Sequence, residues 1–302
     1  MADAPLSLRQ RLWNPEARLA YVLLLPTVIF LAAFMFYPIV YVFVMSLFRT
    51  NKLSALTRFV GLANFVDRFR DKEFWWAALR SLVWTSIGVS TKFLLGMAIA
   101  VLLNVSYRGR KAARMAFIIP WASSVPISAL LWKWVYHPAF GLLNHSLSAT
   151  GLWRNPPGWV GTPLPAFAAT MWVDIWIGIP FFALVFLAGM QAVPHELYES
   201  AHMDGAGGVR SFFSITLSGL RELILISTLL SAIWTFNDFN VIYILTRAGP
   251  ANTTNILITS LYMNAFVDRR FDWAAVQSVI TFVILTIVSV IYARFYFRQE
   301  NA

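Results

Sequence analysis

Residues 192–220 read AVPHELYESAHMDGAGGVRSFFSITLSGL, and they decide the fold because they interrupt the apolar second half of the chain. The segments on either side are each apolar enough to cross a bilayer. Pro194 suits the first turn of a helix, where a missing N–H costs nothing. Asp204 and Gly205 predict a turn, because glycine readily adopts the positive φ that ends a helix. Residues 212–217 have the apolar spacing of a second short helix. The stretch therefore predicts a helical hairpin between two membrane spans, placed to contact another molecule.

The composition is that of a polytopic membrane protein. Of 302 residues, 59% are hydrophobic and only 13% are charged, whereas about a quarter of a soluble domain is charged. The absence of cysteine excludes a disulfide framework and a thiolate metal site. The four histidines have no zinc-binding spacing, so no metal site is expected. The net charge of +10 comes from basic residues that flank apolar segments. It therefore indicates membrane topology and anionic lipid rather than nucleic acid.

The hydropathy pattern predicts a single all-α transmembrane domain over residues 1–302, because a span needs about 20 apolar residues. About six segments meet this rule. They cover residues 19–48, 81–103, 115–135, 165–191, 222–245 and 274–296.

Basic residues suggest the orientation of these spans. Arg108, Arg110, Lys111 and Arg114 crowd the short loop after the second span, and the positive-inside rule places such a loop in the cytoplasm. The 192–220 hairpin and both termini would then also be cytoplasmic. The first outer loop is basic as well, so charge alone leaves the orientation close to a tie. Within that loop, the sequence NFVDRF has a helical period and predicts a helix along the membrane surface.

No catalytic motif is present. The chain contains no G-x-x-x-x-G-K-[ST] phosphate loop, no nucleophile elbow and no H-E-x-x-H sequence. The chain is therefore not expected to be an enzyme, and it should not hydrolyse ATP itself.

Ionisable residues within predicted spans are costly and point to function. Lys133 lies near the end of its span and is expected to extend its charge to the membrane surface, whereas three others lie deeper in the apolar runs. They are Lys92, Asp174 and Asp238. Lys92 is expected to pair with one of the two aspartates and neutralise its charge. The same three residues leave open a secondary transporter that uses them as a proton or ion relay.

Helical spacing places polar and aromatic side chains near the two aspartates. Ser231, Trp234 and Thr235 recur with Asp238 at intervals of three and four, which predicts one helix face. Gly178 and Phe181 share a face with Asp174 in the same way. Because Pro180 follows Gly178, the sequence also predicts a local break in this helix beside a cavity. Carboxylates accept hydrogen bonds from sugar hydroxyls, and tryptophan rings can stack on the apolar face of a pyranose.

The hairpin resembles the cytoplasmic EAA loop of ABC importer permeases, whose pattern is E-A-A, three residues, G, and later I-x-L-P. Ser200 replaces the second residue of the triplet, and Ser218 replaces the final proline. The longer pattern E-L-Y-E-x-A-x-x-D-G-A is also present from Glu196 to Ala206. The residues that carry the resemblance are Glu199, Ala201, Asp204, Gly205, Ile215 and Leu217.

Further segments resemble the carbohydrate permeases of the maltose-transporter F-subunit and glycerol-phosphate A-subunit type. They include GLANFVDRFRDKEFWWAALRSLVWT, IIPWASSVPISALLWKWVYHPAFGLLN and IYILTRAGPANTTNILITSLYMNAF. In the last of these, Ala248 stands where the family has a second glycine. The resemblance thus covers nearly the whole chain.

The resemblance implies a type I importer permease with six transmembrane helices in a bacterial inner membrane. The hairpin would be the coupling helix that docks on an ATPase subunit, and its cytoplasmic location would resolve the topology. The implied partners are a second permease subunit, two ATP-binding subunits that hold ATP and Mg²⁺, and a periplasmic or lipid-anchored solute-binding protein. This chain itself would need no cofactor. The implied cargo is a sugar, oligosaccharide or polyol derivative.

The resemblance also implies a substrate pathway, carried over by matching motif. Its residues are Trp121, Asp174, Gly178, Phe181, Ser231, Trp234, Thr235 and Asp238.

Overall fold

The computed structural model describes residues 15–300 and is predominantly helical. Its helices are α1 (Pro15–Leu31), α2 (Tyr37–Ser46), α3 (Ala63–Arg70), α4 (Lys72–Asn104), α5 (Arg110–Ala122), α6 (Val125–Val135), α7 (Leu142–Ala149), α8 (Pro163–Ala192), α9 (His195–Met203), α10 (Gly208–Ser211), α11 (Leu217–Gly219), α12 (Arg221–Phe236), α13 (Asn240–Thr246), α14 (Leu257–Tyr262) and α15 (Phe271–Glu300). Turns of π-helix join α1 to α2 and α10 to α11, and another follows α14. The two chain ends, which the sequence assigned to the cytoplasm, fall outside the described residues.

The predicted number of spans is confirmed. Between residues 15 and 300, five helices are long and apolar enough to cross a membrane, and the bent pair α5–α6 makes a sixth if it counts as one span. The five candidates are Arg18–Ser46, Lys72–Asn104, Pro163–Ala192, Arg221–Thr246 and Phe271–Arg294.

The centre of the fold is the packing of α4 against α8. Small residues let the two backbones approach closely, as in other membrane helix pairs. A Cβ atom on Gly96 would overlap the Cβ of Phe182 and lie 3.1 Å from the backbone nitrogen of Ala183. Phe182 and Phe186 are fully buried beside this contact. The α4–α8 pair thus forms the rigid support for the cavity described below.

The first span is shorter than predicted. The sequence extended it to residue 48, but α2 ends at Ser46 and Phe48 begins a strand. The strand β1 (Phe48–Thr50) pairs antiparallel with β2 (Leu56–Phe59), and the rings of Phe48 and Phe59 lie 5.2 Å apart. The prediction extended the span too far because it followed apolarity alone. An aromatic residue such as Phe48 suits a strand as well as a membrane helix.

The third span, predicted over residues 115–135, is bent. α5 and α6 meet at 97°. Pro120 lies within the last turns of α5 and Pro126 in the first turn of α6. Proline lacks the N–H that would continue a helix, and it is well tolerated in a first turn. The corner is held by a 2.6 Å hydrogen bond between the hydroxyls of Ser123 and Ser128.

Two details of the later spans are also corrected. The break predicted near Gly178 and Pro180 is wrong, because α8 runs without interruption from Pro163 to Ala192. The fifth span, predicted as continuous over residues 222–245, is instead interrupted at residues 237–239. Asp238 therefore does not share a helix face with Ser231. At the interruption, the side-chain amide of Asn237 donates a 2.9 Å hydrogen bond to the backbone carbonyl of Ile233, which gives this carbonyl a local partner.

The helix predicted from NFVDRF is α3, and a buried arginine connects it to the bundle. Arg68 is 2% exposed and donates to Gln277 at 2.6 Å and to Ser260 at 3.1 Å. It also pairs with Asp71 at 2.6 Å. Burial lowers the pKa of the Arg68 guanidinium, and Asp71 partly offsets this by stabilising the charge. Arg68 thereby ties α3 to α14 and α15.

Candidate functional site

All eight residues of the predicted substrate pathway line one cavity of about 410 Å³. This volume lies within the usual range for small-molecule sites. Helix α5 contributes Trp121, α8 contributes three residues, α12 contributes three, and Asp238 comes from the loop between α12 and α13. The bend between α5 and α6 and the interruption before α13 both lie at this cavity. In both irregular segments the backbone therefore borders the cavity, where its polar groups do not face lipid.

A buried ion pair crosses the cavity wall. The ammonium of Lys92 lies 2.6 Å from Oδ2 of Asp174 and donates a 2.8 Å hydrogen bond to the hydroxyl of Thr235. The two charged residues are only 4% and 8% exposed. Among the described residues, Oδ2 of Asp174 has no aligned hydrogen-bond donor, so the contact with Lys92 is an ion pair. The pairing predicted for Lys92 is confirmed, and Asp174 is its partner.

Gly178 makes room for this pair. A Cβ atom at position 178 would lie 2.7 Å from both Cδ and Cε of Lys92, which is closer than real Cβ contacts. Glycine here lets the lysine side chain pass across α8 to Asp174. Gly88 has a related position that the sequence did not indicate, since its Cβ would be 3.2 Å from Oδ2 of Asp174.

Aromatic rings supply the apolar part of the cavity. Trp234 and Phe181 are packed with ring centroids 5.1 Å apart and planes at 66°. Trp234 is 53% exposed and Trp121 is 49% exposed, so both rings are accessible. Ser231 and Thr235 are buried behind them. The wall thus combines ring faces with hydroxyl and carboxylate groups.

The sequence reasoning missed several lining residues, among them Asn237 and Asn240. These amides flank Asp238 in the segment FNDFN, and this run of short polar residues inside an apolar span was the available signal. Asp238 accepts a 3.3 Å hydrogen bond from the backbone of Val241 at the start of α13.

The predicted helical hairpin is present at the other end of α8. Its first helix is α9, Gly205 then adopts φ +75°, and its second helix runs from Gly208 to Gly219 through a π turn. The hydroxyls of Tyr198 and Thr216 lie 2.9 Å apart and join the two helices.

The predicted coupling residues divide into two groups. Glu199, Asp204 and Gly205 are exposed, whereas Ala201, Ile215 and Leu217 are half-buried. Leu217 packs on the α4–α8 core beside the fully buried Leu220. The hairpin is therefore anchored to the α4–α8 pair on one side and free on the other.

The free side of the hairpin carries exposed apolar side chains that the sequence reasoning did not single out. Met203 is 87% exposed, Val209 75% and Phe213 63%. Large apolar side chains exposed in an otherwise polar segment are typical of contact sites for other proteins. The signal in the sequence was the presence of these residues in a short polar loop. A groove of about 650 Å³, lined by Leu197, Ser214 and other residues, lies under the hairpin.

The sequence matches a family described as "Binding-protein-dependent transport system inner membrane component" over residues 92–299. It is 34% identical over 284 residues to a probable ABC transporter permease protein of Brucella suis, with 94% of this chain and 98% of that protein covered. It is also 34% identical over 288 residues to the trehalose/maltose transport system permease protein MalF of Thermococcus litoralis, with 95% and 97% covered.

Solved structures share the fold. A bacterial ABC transporter involved in the import of the acidic polysaccharide alginate matches with a TM-score of 0.84 at 24% identity, covering 95% of this chain and 99% of that one. A bacterial alginate ABC transporter in complex with an alginate pentasaccharide-bound periplasmic protein matches with a TM-score of 0.82 at 22% identity, covering 97% and 98%.

Proposed function

Because this chain belongs to the family of binding-protein-dependent transport system inner membrane components, we propose that its cavity is a translocation pathway for a sugar, oligosaccharide or polyol derivative. The chain is a transport subunit of an ABC importer and not an enzyme. One observation supports the location of the pathway above all others. Eight residues selected from the sequence for sugar contacts, from three helices and a loop, surround a single cavity.

The cavity chemistry suits a carbohydrate. Trp121 and Trp234 present accessible ring faces, which can cover the apolar face of a pyranose. Asp238 and the neighbouring amides supply acceptors and donors for hydroxyl groups. The relative from Thermococcus litoralis is named as a trehalose/maltose permease, which agrees with this cargo class.

We further infer that the hairpin is the contact with an ATPase subunit. Met203, Val209 and Phe213 would be the apolar anchors in a cleft of that subunit, since few buried apolar residues dominate most interfaces. ATP-driven closure of two such subunits, which hold the ATP and Mg²⁺, would move the hairpin. The movement reaches the cavity through Leu217, which packs on the same core as α4 and α8.

The remaining partners and the orientation belong to the same proposal. A second permease subunit completes the membrane unit, and a periplasmic or lipid-anchored binding protein delivers cargo at the end of the bundle opposite the hairpin. The hairpin and both termini are then cytoplasmic. The relative in complex with a sugar-loaded periplasmic protein has this type of partner.

The secondary-transporter alternative has weaker support. Lys92, Asp174 and Asp238 do lie together, but a proton relay does not need the hairpin, and the family is that of ATP-driven importers. Uptake in vesicles with clamped ATP distinguishes the two, because an uncoupler should leave the importer active. Loss of uptake under these conditions would support the relay.

The decisive experiment is purification of the tagged chain in mild detergent from its native membranes, with mass spectrometry of the bound proteins. We expect a P-loop ATPase and a second permease. The variant Val209→Ser/Phe213→Ser should lose the ATPase and retain the permease. Phe140→Ser is the matched control, because Phe140 is 59% exposed in the loop between α6 and α7, outside the hairpin. Recovery of the wild-type chain alone, even after cross-linking, would contradict the proposal.

A further inference from the structure

The charged groups of the cavity are unequal in number. Two carboxylates, Asp174 and Asp238, face one ammonium, Lys92, and none of the other lining residues is basic. With these groups ionised, one negative charge remains. A lysine available to the cargo would instead have favoured an acidic cargo.

Lys92 is already engaged within the protein. Its ammonium lies 2.6 Å from Asp174 and donates to Thr235 at 2.8 Å, and the residue is 4% exposed. Its methylene groups lie against Gly178, where no side chain interferes. Transfer of this ammonium to a carboxylate on a cargo would leave Asp174 buried without its counter-ion, which is strongly unfavourable.

Asp238 is the carboxylate without a counter-ion. Among the ion pairs formed by residues 15–300, none includes Asp238. Its partner is the backbone N–H of Val241, and its neighbours in the cavity wall, Asn237 and Asn240, are uncharged. Asp174 and Asp238 line the same cavity, and the one ammonium among the described lining residues is paired with Asp174.

We propose that the cavity excludes acidic cargo and accepts carbohydrates without net negative charge, and that Asp238 is the residue that sets this selection. This inference rests on the proposed function and specifies its substrate class. Hydroxyl groups can donate to the free carboxylate in a charge-assisted hydrogen bond. A uronate, sulfonate or phosphate group would instead meet like charge within about 5 Å, which lowers its occupancy by at least about tenfold at the effective dielectric of protein sites.

The natural absence of cysteine provides a test that needs no knowledge of the cargo. Asn240→Cys places a unique thiol in this chain, at an exposed position on the cavity wall. The assembled importer is treated with cationic trimethylammonioethyl methanethiosulfonate or anionic sulfonatoethyl methanethiosulfonate. Modification is followed by the intact mass of this chain, so that thiols of partner chains do not interfere. Each rate is divided by the rate of the same reagent with a small thiol in solution.

We expect the cationic reagent to react at least about tenfold faster than the anionic one after this correction. Asp238→Asn should reduce the ratio by a similar factor. Asp268→Asn, which removes an exposed carboxylate outside both the cavity and the hairpin, should leave it unchanged. Ile233→Cys, at another lining position, repeats the measurement if Asn240→Cys does not assemble. A ratio near one, a preference for the anion, or a ratio insensitive to Asp238→Asn would overturn the inference. None of these results affects the proposed function, which is tested separately by co-purification of the ATPase and by uptake at clamped ATP.

Discussion

The buried pair of Lys92 and Asp174 allows a quantitative prediction from a double-mutant cycle. Removal of one partner leaves the other charge buried, at a cost of about 3–5 kcal/mol in the free energy of unfolding. We therefore expect Lys92→Met and Asp174→Asn each to destabilise the chain by this amount. The double variant leaves no unpaired charge at the pair and should lose no more than about 2 kcal/mol. The coupling between the two sites is then at least about 4 kcal/mol.

The assay is reversible unfolding of the purified chain in mixed detergent micelles. Lys133→Met is the matched control, because Lys133 is exposed and donates only to the carbonyl of Ile244 at 3.1 Å. Its loss should cost less than about 0.5 kcal/mol. If the two single variants were additive, or if each cost less than about 1 kcal/mol, Lys92 would not be the counter-ion of Asp174, and the charge count of the cavity would have to be revised.

Three further predictions concern other contacts. Gly96→Val should destabilise the α4–α8 pair by at least about 1–3 kcal/mol through overpacking, whereas Gly158→Ala, with nothing within 4 Å of the new Cβ, should have no such effect in the same unfolding assay. Tyr198→Phe removes the hydrogen bond with Thr216, at a cost of about 0.5–1.5 kcal/mol in the free energy of unfolding. It should lower cargo-stimulated ATP hydrolysis without loss of ATPase binding. Unchanged hydrolysis would refute a role of this hydrogen bond in coupling. Arg68→Met leaves the buried polar partners of Arg68 unsatisfied, so it should lower the free energy of unfolding by about 3 kcal/mol or more. Hydrogen exchange in α3 should also increase. Unchanged exchange would show that the hydrogen bonds of Arg68 do not hold α3.

The longest elements were predictable because their signals are local. An apolar run of sufficient length specifies a membrane helix whatever it packs against, and α8 coincides with the predicted fourth span to within two residues at each end. The hairpin was predictable for the same reason, since Gly205 provides the positive φ that its turn requires. Proline was a less reliable guide. Pro120 and Pro126 accompany a 97° bend, but Pro180 lies in an uninterrupted helix.

The sequence alone determined the membrane class, the number of spans and the hairpin, because each follows from composition or from spacing along the chain, whereas the proposed pathway residues came from the family resemblance. Only the tertiary structure decided that Lys92 pairs with Asp174 and that Gly178 makes room for this pair. It also showed that Asp238 forms no ion pair within the described part of the chain. The ion pair joins a residue of α4 to a residue of α8, so it depends on the distance between two helices. The periodicity within a single helix carries no information about that distance. The net charge of the cavity, and with it the cargo selection that we propose, therefore depends on how the helices pack.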